Sequence, residues 1–558
     1  MFETVAEAIV DYLAAGGVER IYGVPGDSID PLVEAIRRKG KLTYVQVRHE
    51  EGGAFAASFD AKFNGRPSAC FGTSGPGSIH LLNGLYDAKF DKAPVIAITG
   101  QVRRDLVGRD YHQEVNMPKL FDDVSVFNRF MMDAESASYL VSRAVSESVR
   151  LGGVSHLSVP VDVLMERVEV PEIEAVRSPG FSYSPDLDQA ARSIEASRKP
   201  VLLVGSGCRN DAALLSDLSL KIGAPVIYAL LGKGILSDDD PKVMGGLGLL
   251  GTRPSVDALE GSDLIIEIGT TFPYTKFIPK GKRIIQVDID SGNLSKEIHA
   301  DVPVHSDART FMTRIMNMVM EKEKKYYAEL EGGRRDWEAR ISGWETKKTT
   351  RINPAELSRV LSEETAKDAV IVTDTGNSTA WIARHFRASS GQRFLFSGGL
   401  ASMGCALPGA LGVSLSTGRQ VVSVIGDGGF SMTSAELSTI RKYGIPVKML
   451  LFNNGKLGMI KFEQEVLGYP EWGVDLVNPD FSVLASAYGI ESMRIERGAN
   501  LRNAIRKTLD SDGPFLLEAI TDPGFRPMPP HVTMEQAKGY LVAGLREHMG
   551  YTPEIKTE

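Results

Sequence analysis

The chain of 558 residues is 24% charged and 43% hydrophobic, enough for about three domains that each bury a core. A formal net charge of −8, with lysine and arginine scattered rather than clustered, excludes a nucleic-acid-binding surface. Cys70, Cys208 and Cys405 form neither a CxxC pair nor a disulfide framework, so a reducing, cytoplasmic setting is expected; the acidic N-terminus does not have the pattern of a signal peptide, and no run reaches transmembrane length.

Thr4 to Ala15 has the spacing of an amphipathic helix stopped by Gly16-Gly17, and Arg20 to Val24 is a short apolar strand that ends in GVPGDS. A second strand, Lys41 to Val47, delivers Arg48-His49-Glu50-Glu51 to the start of a helix of small residues. A carboxylate set at a strand end against Ala and Gly can be partly desolvated, which raises its pKa and lets it share a proton near neutrality. A solvated charge at a helix start is the competing reading of Glu50 or Glu51. Ala69 to Phe71 leads through Gly72-Thr-Ser-Gly-Pro-Gly77 into a helix over Ser78 to Phe90, a turn that alone is a weak phosphate-loop motif. Pro94 to Thr99 is a buried strand, and the loop after it contains Tyr111-His112-Gln113-Glu114, where a histidine could titrate near neutrality. Ser155 to Val161 closes a first domain placed at residues 1–175, and VPEIEAVRSPGFSYSP is a linker.

A second domain, residues 185–330, has strands at Pro200 to Val204, Pro225 to Tyr228, Leu264 to Ile268 and Arg283 to Val287. This alternation is doubly wound and suits a dinucleotide, but Gly205-Ser-Gly207 lacks the third glycine of the usual fingerprint, so a cofactor-free structural domain competes with that reading. Glu321 to Arg351 is highly charged and helical in pattern, most simply a solvated linker. In a third domain, residues 350–530, the strand Val370 to Thr373 ends in Asp374-Thr375-Gly376-Asn377-Ser378, whose hydroxyl and amide groups can grip phosphate oxygens. Val421 to Gly455 is a strand-helix-strand unit whose first apolar run ends in Gly426-Asp427-Gly428-Gly429 and whose second ends in Asn453-Asn454. Asp427 and Asn454 lie 27 residues apart at one sheet edge, beside glycines that admit a ligand; two oxygen ligands and a backbone carbonyl there suit Mg²⁺ carrying a diphosphate. The competing reading is an Asp that only caps its helix. The expected fold class is α/β, with three doubly wound parallel-sheet domains.

Gly-Asp-Gly-Gly followed at this spacing by Asn-Asn resembles the thiamin diphosphate enzymes of the pyruvate oxidase and acetolactate synthase group, and the likeness runs over about residues 1 to 540. It implies a pyrimidine-binding domain, an FAD-binding domain and a diphosphate-binding domain. It further implies that Asp427, Asn454 and the main-chain oxygen of Lys456 hold Mg²⁺, that Thr375, Gly376, Asn377, Gly428 and Gly429 surround the diphosphate, and that Glu50 bonds N1′ of the aminopyrimidine to promote loss of the C2 proton. His49 and Glu51 are left as structural. Ser402-Met403-Gly404 matches the loop whose apolar residue, here Met403, wedges under the cofactor; by default Met403 would fill a core gap. His80 either faces the site or packs between subunits. His112, beside Gln113, stands where related oxidases usually carry Phe near substrate and flavin. Glu463 matches a position on the acceptor side, with Met459 and Ile460 lining the pocket.

In the central domain Gly248, Leu249 and Leu250, then Thr270-Thr271-Phe272-Pro273-Tyr274, then Asp288, resemble with Gly205 and Gly207 the FAD-holding segments of pyruvate oxidases. The tail, residues 531–558, resembles the end of quinone-linked relatives but stops sooner in mixed charge, which does not support membrane binding. The resemblance therefore implies oxidative decarboxylation of pyruvate using thiamin diphosphate, Mg²⁺ and FAD, with oxygen or a quinone as electron acceptor, in a homotetramer whose sites form across subunits. A non-oxidative acetolactate synthase with structural FAD is the alternative. Against a catalytically silent member of the fold stand the intact Glu50, Asp427 and Asn454.

Overall fold

Short apolar runs closed by glycine recur along the chain, and most of the central ones are buried along their whole length, as strands of a parallel sheet covered by helices on both faces must be. The computed structural model describes residues 2–170, 185–272, 274–527, 530, 538–539 and 542–543. It contains three parallel six-stranded sheets flanked by helices, and a small antiparallel pair, Phe2–Thr4 with Arg167–Glu169.

The first sheet runs, in spatial order, Thr43–Gln46, Arg20–Gly23, Ser68–Gly72, Val95–Gln101, Val154–Pro160, Ser125–Phe130. The third repeats this topology with Arg393–Leu395, Val370–Thr373, Val421–Gly426, Lys448–Asn453, Phe515–Ile520, Glu491–Ile495. Numbered within each sheet, both follow the order 2-1-3-4-6-5. The second sheet runs Val243–Gly246, Val226–Tyr228, Pro200–Val204, Leu264–Ile268, Arg283–Asp288, Val302–His305, which is the order 3-2-1-4-5-6 found in dinucleotide-binding folds. Each sheet thus has a point where the strand order reverses. At the carboxyl side of that point lie Thr73-Ser74 in the first sheet, Gly205 and Gly269 in the second, and Asp374 and Asp427 in the third.

The first and third sheets share a core. The helix Glu50–Asn64 packs on the helix Ala406–Ser414, with Phe55 and Phe59 in one buried cluster with Leu407 and Leu411. The approach is close: a Cβ on Gly412 would stand 2.3 Å from the carbonyl oxygen of Ala56, and one on Gly409 2.7 Å from the ring of Phe59. A buried Lys62 ties the two parts further, bonding Asp87 (2.6 Å), Asp91 (2.5 Å) and the Phe396 carbonyl (3.2 Å).

Three expectations change. The helix expected over Ser78 to Phe90 is two, Pro76–His80 and Leu82–Phe90. Seven strands escape the sequence reading: the small pair Phe2–Thr4 and Arg167–Glu169, and Ser125–Phe130, Val243–Gly246, Val302–His305, Arg393–Leu395 and Glu491–Ile495, which are all edge strands of the six-stranded sheets and are either short or diluted by exposed or glycine positions. The charged stretch from Glu321 forms the helix Lys325–Glu345 and is no solvated linker: Tyr326, Leu330, Trp337 and Ile341 are buried, and the Tyr326 hydroxyl donates to the Ala258 carbonyl. Among the described residues no helix is long and apolar enough to cross a membrane, and all three cysteines are free and buried. Pro273 and nearly all of the linker and tail lie outside the described residues.

Candidate functional site

The two polar loops of the third sheet meet where its order reverses. Asp427, at the end of Val421–Gly426, is buried, and its Oδ2 accepts from the Gly455 N–H (2.8 Å) and from Nδ2 of Asn478 (2.6 Å). Burial pushes its pKa up to about 6, so it is a carboxylate that gains from a cation beside it. Oδ1 of Asn454 accepts from the Lys456 N–H at 2.9 Å, while the Lys456 ammonium is taken up by Glu471 and Asp475, each at 2.5 Å. Gly458 is forced by its neighbours: a Cβ there would stand 2.1 Å from Nδ2 of Asn377 and 2.9 Å from Nδ2 of Asn454.

Asp374, from the other loop, is fully buried, and burial pushes its pKa up to about 7. Its Oδ1 accepts from the N–H groups of Thr375 and Gly404, both at 2.8 Å. A Cβ on Gly429 would strike its Oδ2 at 2.1 Å, so Gly429 makes room for this carboxylate. Gly428 faces the side chains of Leu457 and Met403, whose Sδ lies 3.5 Å from a Cβ position on it. Ser402 reaches the first part of the chain through Asn83 (3.1 Å). Thr375, Gly376, Asn377, Met403, Gly404, Gly428, Gly429, Asp427, Asn454 and Lys456 thus gather around one sheet edge.

In the first part, Glu50 is buried at the start of its helix. Its Oε2 lies 3.0 Å from Nδ1 of His80, and its Oε1 3.0 Å from where a Cβ on Gly77 would be. His49 caps the same helix, with Nδ1 accepting from the Glu51 N–H, and its ring stacks on that of His80 at 4.3 Å. Glu436 comes across from the third sheet: its Oε1 accepts from the N–H groups of Arg48 and His49, both at 3.1 Å, and holds the turn that precedes Glu50. Gln113 sits in the left-handed region (φ 61°) against the backbone of Gly75, while His112 is exposed. Glu463 is exposed on the helix Gly458–Val466, with Ile460 exposed and Met459 half-buried. Gly539 lies against the Val466 carbonyl at the end of that helix.

In the central part the singled-out residues come from four strand ends on the carboxyl edge of the sheet. Gly205 and Gly207 abut the Gly269 backbone, so their missing side chains let two loops cross. Gly248 has φ 100°, Leu249 is exposed and Leu250 half-buried, and the Leu249 carbonyl accepts from Arg384 at 3.0 Å. Thr270 and Phe272 are buried, Thr271 and Tyr274 exposed. Asp288 is buried, its Oδ1 accepting from the Asp290 N–H and from Nδ2 of Asn293.

The residues present fit a divalent cation with a diphosphate. The donor set of carboxylate, amide and main-chain oxygens suits a hard cation, and Oδ1 of Asn377 and Oδ2 of Asp374 are buried with no hydrogen-bond partner among the described residues. Asn478, Asp374 and Glu436 were not singled out from the sequence. Asn478 belongs to an ordinary Asn-Pro dipeptide, and Glu436 is one more polar residue in a helical stretch; Asp374 alone had a local cue, its place at a strand end.

Three family models match the chain in succession: "Thiamine pyrophosphate enzyme, N-terminal TPP binding domain" over residues 3–121, the central domain over 187–315 and the C-terminal TPP binding domain over 374–519. Relatives extend over nearly the full length. A Bacillus subtilis protein named as thiamine pyrophosphate-containing, YdaP, is 36% identical over 96% of this chain and 95% of its own. A pyruvate oxidase of Lactiplantibacillus plantarum is 30% identical over 94% and 89%, and an acetolactate synthase of Arabidopsis thaliana 34% identical over 92% and 81%.

Proposed function

Because this chain belongs to the thiamine pyrophosphate enzyme family, we propose that it is a pyruvate oxidase-like flavoenzyme that decarboxylates pyruvate and passes two electrons through FAD to oxygen or a quinone. The observation that carries the reading is the 3-2-1-4-5-6 order of the central sheet, with Gly205, Gly248, Thr270 and Asp288 along its carboxyl edge, a crevice of dinucleotide type. The likeness to acetolactate synthases favours a second reading, a non-oxidative carboligase that keeps FAD as a structural group.

Asp427, Asn454 and the Lys456 carbonyl would hold Mg²⁺, and Thr375, Gly376, Asn377, Gly428 and Gly429 the diphosphate. Bound there, thiamin diphosphate supplies a carbon nucleophile and an electron sink, and FAD a two-electron acceptor. Glu50, buried with Oε2 3.0 Å from His80 Nδ1, is placed to exchange a proton where little water reaches it. Met403 and Leu457 beside Gly428 offer an apolar floor.

An anaerobic stopped-flow mixing of the ThDP-, Mg²⁺-loaded protein with pyruvate tests this. The oxidised-flavin band should bleach within a turnover, and Glu50→Gln should lose the bleaching by about 10²-fold or more with its circular dichroism unchanged. A flavin that stays oxidised while CO₂ and acetolactate appear establishes the carboligase, and protein purified without flavin removes the central-sheet reading.

A further inference from the structure

Beyond the diphosphate crevice, at the same carboxyl edge of the third sheet, lies a second cavity of about 320 Å³. Asn453 and Ile520 come from the ends of their strands, Asn478 from the loop that braces Asp427, and the rim carries Arg351, Arg494 and Arg497 against a single carboxylate, Glu496. Three positive groups and one negative group line the cavity, and the carboxylates of Asp480, Glu518 and Asp522 stand behind that lining.

The three arginines are not alike. Arg494 is engaged, with Glu496 at 3.1 Å, Asp480 at 3.4 Å and Glu518 at 4.0 Å. Arg351 and Arg497 have no side-chain ion pair or hydrogen bond among the described residues, although both line the cavity. The segment that bears Arg351 is pinned: the hydroxyl and N–H of Thr350 both donate to Oδ2 of Asp522, at 2.7 and 2.8 Å. The floor is rigid as well. Nδ2 of buried Asn453 donates to Glu518 (2.7 Å) and its Oδ1 accepts from Asn478 (3.0 Å), while the same Asn478 amide reaches Asp427. Unspent guanidinium groups over a polar floor are a receptor for a dianion, since the guanidinium fork matches phosphoryl oxygens two at a time. The volume exceeds that of a bare phosphate ion and leaves room for a small substituent.

We propose that this cavity binds a phosphoryl dianion, free or as the head of a small phosphomonoester, at a site separate from the diphosphate crevice and sharing with it only the Asn478 wall. The site does not depend on which reaction the enzyme performs. Calorimetric titration tests it, using holoenzyme saturated with thiamin diphosphate and Mg²⁺ so that the diphosphate site is filled, in a phosphate-free buffer of low ionic strength. The probes are inorganic phosphate, ribose 5-phosphate and, as the uncharged control, ribose. Saturable binding of one or both anions without binding of ribose is expected, weakened about tenfold or more in Arg351→Gln/Arg497→Gln. Tighter binding of the ester identifies a phosphomonoester site, and equal or tighter binding of phosphate identifies free phosphate. Both arginines are exposed, so the double variant should melt as the wild type does; if it does not, Arg497→Gln alone serves. Absence of binding by either anion, or binding that survives both substitutions unchanged, overturns the proposal.

Discussion

Asp427 is held by two donors from separate loops, the Gly455 N–H and the Asn478 amide, and only the second can be removed without touching the backbone. Asn478→Ala is expected to raise the Mg²⁺ concentration that half-saturates thiamin diphosphate binding by 10- to 100-fold, roughly the cost of losing a group that orients a metal ligand. Quenching of intrinsic fluorescence during a Mg²⁺ titration measures this, and an unaltered midpoint would show that Gly455 suffices. His156 poses a different residue-scale question. Its Nδ1 meets Oδ1 of Asn128 at 2.7 Å, an acceptor, so the proton sits on Nδ1 and Nε2 accepts from the Thr99 hydroxyl at 2.8 Å. The ring is buried and stacked on Phe121, and burial lowers its pKa to about 3, against 6.5 for an ordinary histidine. The unfolded chain therefore takes up the proton first. This contribution is complete above about pH 6.5 and is lost as pH falls toward 3, by up to about 1.4 kcal/mol per pH unit. His156→Gln should melt lower at pH 7 yet lose less stability than wild type between pH 6.5 and 4.5; equal losses would place the acid sensitivity elsewhere.

At the scale of elements, the contact between the helices Glu50–Asn64 and Ala406–Ser414 sets the position of Glu50 relative to the third sheet. It depends on glycine for want of space rather than for backbone freedom. Gly412→Ala puts a methyl 2.3 Å from the Ala56 carbonyl, which cannot be met by a side-chain rotation, so a destabilisation of about 1–3 kcal/mol or more is expected. Thermal unfolding by calorimetry checks it, and a variant as stable as wild type would mean that the two helices slide apart at little cost. The same helix shows what a local pattern can convey. Its run of small residues marks a helix against which a carboxylate can be desolvated, and the amphipathic spacing of Thr4 to Ala15 marks the first helix, to which the structure adds a capping box of Thr4 and Glu7. The edge strands had no such announcement: in Val302–His305 alternate residues are exposed and in Ser125–Phe130 only Phe127 is buried, so composition there says little about pairing.

For the whole molecule, two sheets of one topology share a core and the central sheet, of another topology, has clusters of its own, so the chain offers two kinds of strand-end crevice. Large apolar side chains stay exposed beside the third sheet's crevice: Ile460, Leu467, Tyr469, Trp472 and Val477 lie within eighteen residues of one another. We propose that this concentration is a surface that another protein covers. A second copy of this chain is the expected cover, within a homotetramer, and sedimentation velocity should give four times the mass of one chain. Trp472→Asp should shift the species toward smaller assemblies and weaken cofactor binding; a monomer in the wild type would dismiss the assembly.

The sequence by itself determined the strand-end chemistry and the fold class, because glycine, Asp427 and Asn454 at the ends of apolar runs are local features that any parallel sheet must turn into one edge. It also carried the family, through the same motif. Tertiary structure decided which distant residues complete these groups. Asn478 is 51 positions from the carboxylate it braces, Glu436 is 388 from the N–H of Arg48, and the three arginines of the second cavity come from segments that meet only at the edge of a folded sheet. No periodicity or spacing encodes such partners, since their proximity follows from strand order and helix packing, and these arise only when the whole set of apolar faces is buried together.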